Sequence, residues 1–342
     1  AHAKIINLNL DDAKKIDGVK LVASQIDLEK SKVGNIHCSQ FVKNRDNTEI
    51  PKITKTPMAN DFVRNVGEII CFVVAETKQI ALDALEHINV EYKPLNAVCD
   101  VYEAVKDDAP HIYDCFSNNI VFDWETGLSE ETEKIFNFAS RNKEKIIEID
   151  VINNRVLANS IETRPMVCFI ENDIIKLICP TQGPVKLAEE ICKSLNLDLS
   201  KFQLLTRDVG GGFGFKIFTY PEQICLVWAT LKLKNMVRWD QSRSECFISD
   251  LHGRDNRSKA RAVIDKNGKI KALDVEVHAN LGSWLSNMSI FIPTHSACRT
   301  LTGPYDIKTA RMRVKGVITN TPAIDAYRGA GRPEANYLLE RL

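Results

Sequence analysis

The sequence lacks the marks of several common protein classes. No two of its ten cysteines form a C-x-x-C pair, and none of its seven histidines has a partner four residues on. A zinc site held by protein side chains is therefore not expected. Lys+Arg 45 stands against Asp+Glu 45, so the overall basic surplus of a nucleic-acid binder is absent. The longest apolar stretches, such as residues 224–231, fall far short of the ~20 residues of a membrane-crossing helix. No repeat, low-complexity tract or signal-peptide pattern is visible. The cysteines stand singly, mostly in apolar runs such as Ile70-Cys71-Phe72 and Ile224-Cys225-Leu226. They are expected to be reduced core residues of a cytoplasmic protein.

What is present has ordinary globular composition, 44% hydrophobic and 26% charged. At 342 residues the chain exceeds what one core usually holds, so two domains are expected. Residue 1 is Ala, and residues 335–342 (ANYLLERL) read as an apolar-faced helix with no stop signal. Both ends look cut, which points to a fragment, a processed chain or a split gene product.

Residues 69–75 (IICFVVA) predict a buried strand, and Thr77 precedes a helix with Ile80, Ala81, Ala84, Leu85 and Ile88 on one face. A second strand at 89–92 completes a compact strand-helix-strand unit. Residues 43–58, polar and carrying Pro51 and Pro57, predict a loop. Residues 94–119 show little periodicity and form a link. Beyond it, strands are predicted at 150–159 and 174–179. Helices open at Pro184, with Leu187, Ala188, Ile191, Cys192 and Leu195 on one face, and at Pro221, running to about Leu233. Residues 260–264, an Asn267-Gly268 turn and alternating Leu273, Val275 and Val277 predict a hairpin.

Three segments could carry chemistry. In Asp208-Val209-Gly210-Gly211-Gly212-Phe213-Gly214-Phe215-Lys216, four glycines in five residues let backbone N–H groups crowd a ligand. Phe215 sits before Lys216 and Ile217 after it, so neither G-x-x-x-x-G-K-[ST] nor G-x-G-x-x-G is satisfied. The alternative is a plain glycine-rich turn, against which the ring of Phe213 argues. Pro180-Thr181-Gln182-Gly183-Pro184 places a carboxamide donor at a helix N-terminus, a suitable seat for an oxyanion, or else a solvated connection. Around Arg328 and Arg332, small residues and two guanidinium groups suit a phosphate, or else surface pairs with Glu334 or Asp325. Together, three turns rich in donors suggest one large anionic cofactor gripped from several sides.

In this order, TQGP at 181–184, DVGGGFGFK at 208–216 and AYRGAGRPEA at 326–335 resemble the molybdopterin-binding large subunit of the xanthine dehydrogenase/aldehyde oxidase family. Within it, the likeness is to carbon-monoxide-dehydrogenase-type large chains. Residues 1–5, 64–68 (RNVGE) and 90–95 (VEYKPL) resemble its hammerhead domain, and residues 153–164, 239–247 and 251–255 its first molybdopterin domain.

The resemblance implies an α+β fold: an N-terminal α/β hammerhead domain at 1–100, a linker at 101–118, and a mixed α/β first molybdopterin-binding domain at 119–342. The second molybdopterin domain would be missing. It also implies that Gln182 bonds an oxo ligand of molybdenum, that Gly211, Gly212, Phe213 and Gly214 wall the metal site, and that Arg328 and Gly329 lie beside the cofactor. No protein atom would ligate the metal directly. The implied cofactor is molybdopterin, in the cytosine dinucleotide form, with molybdenum. The implied partners are a small [2Fe-2S] subunit and a medium FAD subunit, in a dimer of heterotrimers. The implied activity is hydroxylation of an aldehyde or electron-poor heterocycle with water as the oxygen source.

Departures qualify these expectations. No glutamate matches the family's general base, so no catalytic residue is assigned and the isolated chain is expected to be inactive. Ile217 stands where purine hydroxylases carry a substrate-contacting glutamate, and Val185 where many relatives have histidine. Gly329 stands where copper-containing relatives carry cysteine, which counts against carbon monoxide oxidation. A non-catalytic scaffold or inactive remnant is the remaining alternative.

Overall fold

The computed structural model describes residues 1–116 and 118–342. Its largest sheet has five strands in the order Ile120–Gly127, Ala310–Ile318, Ile270–Gly282, Asn256–Ile264 and Lys145–Asn153. All neighbours are antiparallel except Ile270–Gly282 with Ala310–Ile318. Period-two alternation in Ile270–Gly282 sends Leu273, Val275, Val277, Ala279 and Leu281 into one apolar core. The opposite face carries Asp274, which accepts from Arg261 and from two nitrogens of Arg311. Helix Ser129–Arg141 covers part of that face through Phe136 and Ala139.

A second sheet runs Phe202–Leu205, Ile174–Ile178, Met166–Glu171, Val237–Trp239. Its one parallel pair, Ile174–Ile178 with Phe202–Leu205, needs a crossover, which helix Pro184–Leu195 supplies. The five apolar residues predicted for one helical face behave as expected: Leu187, Ala188, Ile191 and Cys192 are buried and Leu195 packs against the same core. Helix Pro221–Leu233 runs through this core with Ile224, Val227 and Ala229 fully enclosed. Each such aliphatic side chain contributes roughly 1–3 kcal/mol by leaving water.

Several details differ from expectation. The strand predicted at 69–75 spans Cys71–Ala75 and is half-buried throughout. It pairs with Val19–Ser24, whereas Asn89–Pro94 pairs with Ala3–Asn9, so the two strands flanking helix Lys78–Leu85 belong to different sheets. Pairing partners lie N-terminal to the unit, beyond what a local pattern can show. Thr77 does cap the helix, accepting from Ile80 N at 3.2 Å. The strand predicted at 150–159 is two, Lys145–Asn153 and Val156–Leu157, broken where Arg155 turns to bond Asp255, Pro322 O and Thr321. Both strands of the predicted hairpin are longer than expected, Asn256–Ile264 and Ile270–Gly282.

Residues 43–58 contain no named strand or helix, yet Ile50, Ile53 and Met58 are buried. Val42, Ile50 and Ile53 enter the core beneath the five-stranded sheet, while Val33, Ile36 and Met58 enter the core around helix Pro221–Leu233. Of the stretch 101–118, expected as a linker, Ser117 lies outside the described residues. The remainder holds a short helix, Val101–Ala104, and buries Val101, Ala104, Ile112 and Phe116. Asn119 fastens it, donating to Ala104 O and Pro110 O and accepting from Ile112 N. All ten cysteines are free thiols; six are buried, but Cys99 and Cys115 are exposed. Burial pushes Cys168 up to about 11 and Cys179 up to about 12, leaving them protonated and inert.

Candidate functional site

The glycine-rich stretch leaves strand Phe202–Leu205 and reaches helix Pro221–Leu233 through a single 3-10 turn, Phe215–Ile217. Gly214 adopts φ +105, and a Cβ there would stand 2.6 Å from Ala326 O. Only glycine allows this approach of the loop to residues 325–331. Arg328 N then donates to Phe213 O at 2.8 Å. On the other side Gly214 N donates to Gln182 Oε1 at 2.9 Å, and Gln182 N donates to Lys216 O at 3.1 Å.

The three segments singled out in the sequence are therefore joined, with Gln182, Phe213 and Arg328 around one spot. Gly211 and Gly212 lie between and are partly exposed, while Gly329 is exposed beside Arg328. The face is open on one side: Phe213 is 40% exposed, and Gln182 and Arg328 are exposed too. Because Oε1 of Gln182 is taken, its Nε2 is the donor left for a ligand. Arg328 does not pair with Glu334 or Asp325. Glu334 lies 3.2 Å from Arg254, and Asp325 is buried, accepting from Met288 N and Ala326 N. Burial raises Asp325 to about 7 against the opposing pull of those amides.

Below the loop lies a charged underlayer that sequence patterns missed. Lys216 has no exposed side-chain surface, and its Nζ donates to Glu162 Oε2 and Glu162 O, both at 2.9 Å. Burial lowers the lysine's affinity for its proton and the Glu162 carboxylate opposes that shift. Glu162 Oε2 also accepts from Gly210 N at 2.8 Å. Deeper still, Arg164 bonds Asp250 at 2.7 Å and Glu222 at 2.9 Å, with Tyr220 stacked 3.6 Å from its guanidinium. Burial disfavours the Arg164 charge, but the two carboxylates more than compensate and hold it protonated. The signal available in the sequence was a lysine set in Phe215-Lys216-Ile217-Phe218, since a lysine amid apolar residues must find a partner.

Residues 112–342 match the family model of the molybdopterin cofactor-binding domain. The chain belongs to that family. Residues 1–96 match the a/b hammerhead domain of aldehyde oxidase and xanthine dehydrogenase, so the family of large subunits resembled in the sequence is the one to which the chain belongs. The carbon monoxide dehydrogenase large chain of Afipia carboxidovorans is 28% identical over 100% of this chain and 42% of its own length. The nicotinate dehydrogenase large molybdopterin subunit of Eubacterium barkeri is 28% identical over 99% of this chain and 74% of its own. Among solved structures, quinoline 2-oxidoreductase from Pseudomonas putida 86 superposes with a TM-score of 0.87 at 25% identity, covering 99% of this chain and 43% of that one. The chain thus spans about two fifths of the carbon monoxide dehydrogenase chain.

The cofactor of a molybdopterin-binding domain is molybdopterin with molybdenum. The residues present fit such an anionic group. A carboxamide with a spare donor, exposed glycine backbone and a guanidinium with no ion-pair partner among the described residues all border one open face. No helix among the described residues is long and apolar enough to cross a membrane.

Proposed function

We propose that this chain is the molybdenum-bearing large subunit of a molybdenum hydroxylase acting on an aldehyde or an electron-poor heterocycle. Water is the oxygen source, and electrons pass to an iron–sulfur small subunit and a flavin medium subunit in a cytoplasmic dimer of heterotrimers. The observation that carries this is the meeting of Gln182, Phe213 and Arg328 through the Gly214–Gln182 and Arg328–Phe213 hydrogen bonds.

Bound at that face, the molybdenum–pterin group, in its cytosine dinucleotide form, supplies two-electron oxidation. Gln182 Nε2 would be the side-chain donor that helps hold the group, and the backbone around Gly211, Gly212 and Gly214 would let it approach closely. The Phe213 ring would wall the site, and Arg328 would neutralise anionic charge beside Gly329. Glu162, which touches the loop, is engaged by Lys216 and Gly210 and so is not a free base.

Relatives named for nicotinate and quinoline act on aromatic nitrogen heterocycles, which supports that substrate class. The conformation of Gly329 counts against carbon monoxide. Its φ is +94 and a Cβ would stand 2.4 Å from Pro333 Cγ, so a copper-binding cysteine does not fit this backbone. The test is to purify the assembled complex, measure molybdenum per large chain, and assay N-heterocycles, aldehydes and carbon monoxide in ¹⁸O-labelled water. Molybdenum near one per chain with label entering an oxidised heterocycle or aldehyde is expected. A complex that assembles without molybdenum would make the chain a scaffold.

A further inference from the structure

We infer that Lys216 and Glu162 are a positioning pair, an ion clamp built on a buried lysine that sets the shape of the glycine loop from beneath and on which cofactor retention depends. The inference rests on the proposed function for what the loop holds, but its geometry stands without it.

Glu162 is the only acid that Lys216 meets as an ion pair among the described residues, and its carboxylate is shared between Nζ of Lys216 and N of Gly210. The Glu162 carbonyl accepts a second bond from Nζ and another from Ser160 Oγ, which fixes the direction of the carboxylate. At the far end of the loop the Lys216 carbonyl accepts from Thr181 Oγ1 at 2.8 Å and from Gln182 N at 3.1 Å. One residue thus closes a ring. Its side chain reaches the first glycine through Glu162, and its backbone reaches the carboxamide that bonds Gly214.

The Glu162 carboxylate is partly exposed but engaged by Lys216 and Gly210. The lysine side chain is fully enclosed, so it cannot serve as a ligand for the bound anion. Its charge-assisted pair with Glu162, whose side chain is 30% exposed, serves loop shape instead. Phe213, held at φ +50, and Gly214, at φ +105, adopt backbone conformations that relax once their ends are released.

The test uses the complex as purified, comparing wild type with Lys216→Met, Lys216→Arg and Glu162→Gln. Amide exchange at residues 210–214 is followed alongside molybdenum content. Loss of the pair is expected to speed exchange at Gly210 and Gly214 about tenfold or more, the size of a charge-assisted hydrogen bond, and to leave strand Ile270–Gly282 unchanged. Molybdenum per chain should fall in step in Lys216→Met and Glu162→Gln and recover in part in Lys216→Arg. If Lys216→Met fails to fold, Glu162→Gln decides, because its acceptor oxygen and volume are retained. Wild-type exchange at residues 210–214 together with wild-type molybdenum content in Glu162→Gln would overturn the clamp. Wild-type protein without molybdenum, together with faster exchange at Gly210 and Gly214 in the variants, would overturn the proposed function and leave the clamp standing.

Discussion

Residues 210–214 are held from beneath by charge, through the Lys216–Glu162 pair, whereas residues 325–331 are held by fit. Their support is a π-helical turn, Ile292–Ser296, whose Ser296 Oγ donates to Ala330 O at 2.6 Å, and the buried Asp325 that collects two amides. Both loops need unusual backbone, with Phe213 and Ala330 at positive φ. The difference teaches where each is vulnerable. Both fail when an atom is added at their seam, but only the first hangs on an ion pair reaching its glycines from beneath. They meet at one hydrogen bond, from Arg328 N to Phe213 O.

The strongest way to break the charged side is Arg164→Met. It leaves the carboxylates of Asp250 and Glu222 buried without their partner, and a loss of roughly 3–5 kcal/mol in denaturant unfolding is expected. A loss below about 1 kcal/mol would show that this underlayer is not held by the ion cluster.

Gly214→Ala attacks the seam itself. The added methyl meets Ala326 O in a left-handed backbone, and a cost of about 2–3 kcal/mol is expected, with faster amide exchange at Arg328. Unchanged exchange there would mean that the loops are not coupled.

Acid separates the two sides more gently. His252 receives Asp325 N on its carbonyl and so supports the arginine-bearing loop. Burial, aided by Arg155, lowers His252 from 6.5 to about 4. The unfolded chain therefore binds a proton that the folded chain refuses between pH 6.5 and 4. The stability conferred by the neutral ring is present above pH 6.5 and falls as pH drops through that window, by about 3 kcal/mol. Asp325, raised to about 7, acts in the opposite sense over the same range and His278 in the same sense. His252→Gln should therefore shift the slope of unfolding free energy against pH toward greater stability in acid, and an identical slope would rule the residue out as a contributor.

The smallest effect on stability is expected from Arg328→Gln, within about 0.5 kcal/mol, because its guanidinium is exposed and holds no partner among the described residues. Molybdenum retention should nevertheless drop, which would separate the cation proposed to face the ligand from the buried ones.

Much of this was legible where a local rule applies. Pro184 and Pro221 mark helix starts, Thr77 marks a cap, and Gly268, at φ +83, marks the hairpin turn. The three donor-rich turns were recognisable because glycine and proline advertise unusual backbone. What escaped depends on partners far along the chain. Glu162 and Lys216 are 54 positions apart, and nothing in the run around either names the other. The pairing of Cys71–Ala75 with Val19–Ser24 was hidden for the same reason. The burial of Ile50 and Ile53 escaped because a winding segment has no period for its apolar residues to follow.

That winding segment has a mechanical consequence. Residues 33–58 lend side chains to both large apolar cores, and Gly34 N is tied to Ser194 O at 2.6 Å, across 160 positions. Pulling the N-terminal portion away would tear cavities into the interior on each side of it. The two halves of the polypeptide are laced together rather than merely adjoining, so heat should melt them in one step, and a protease cut within residues 33–58 should loosen the whole.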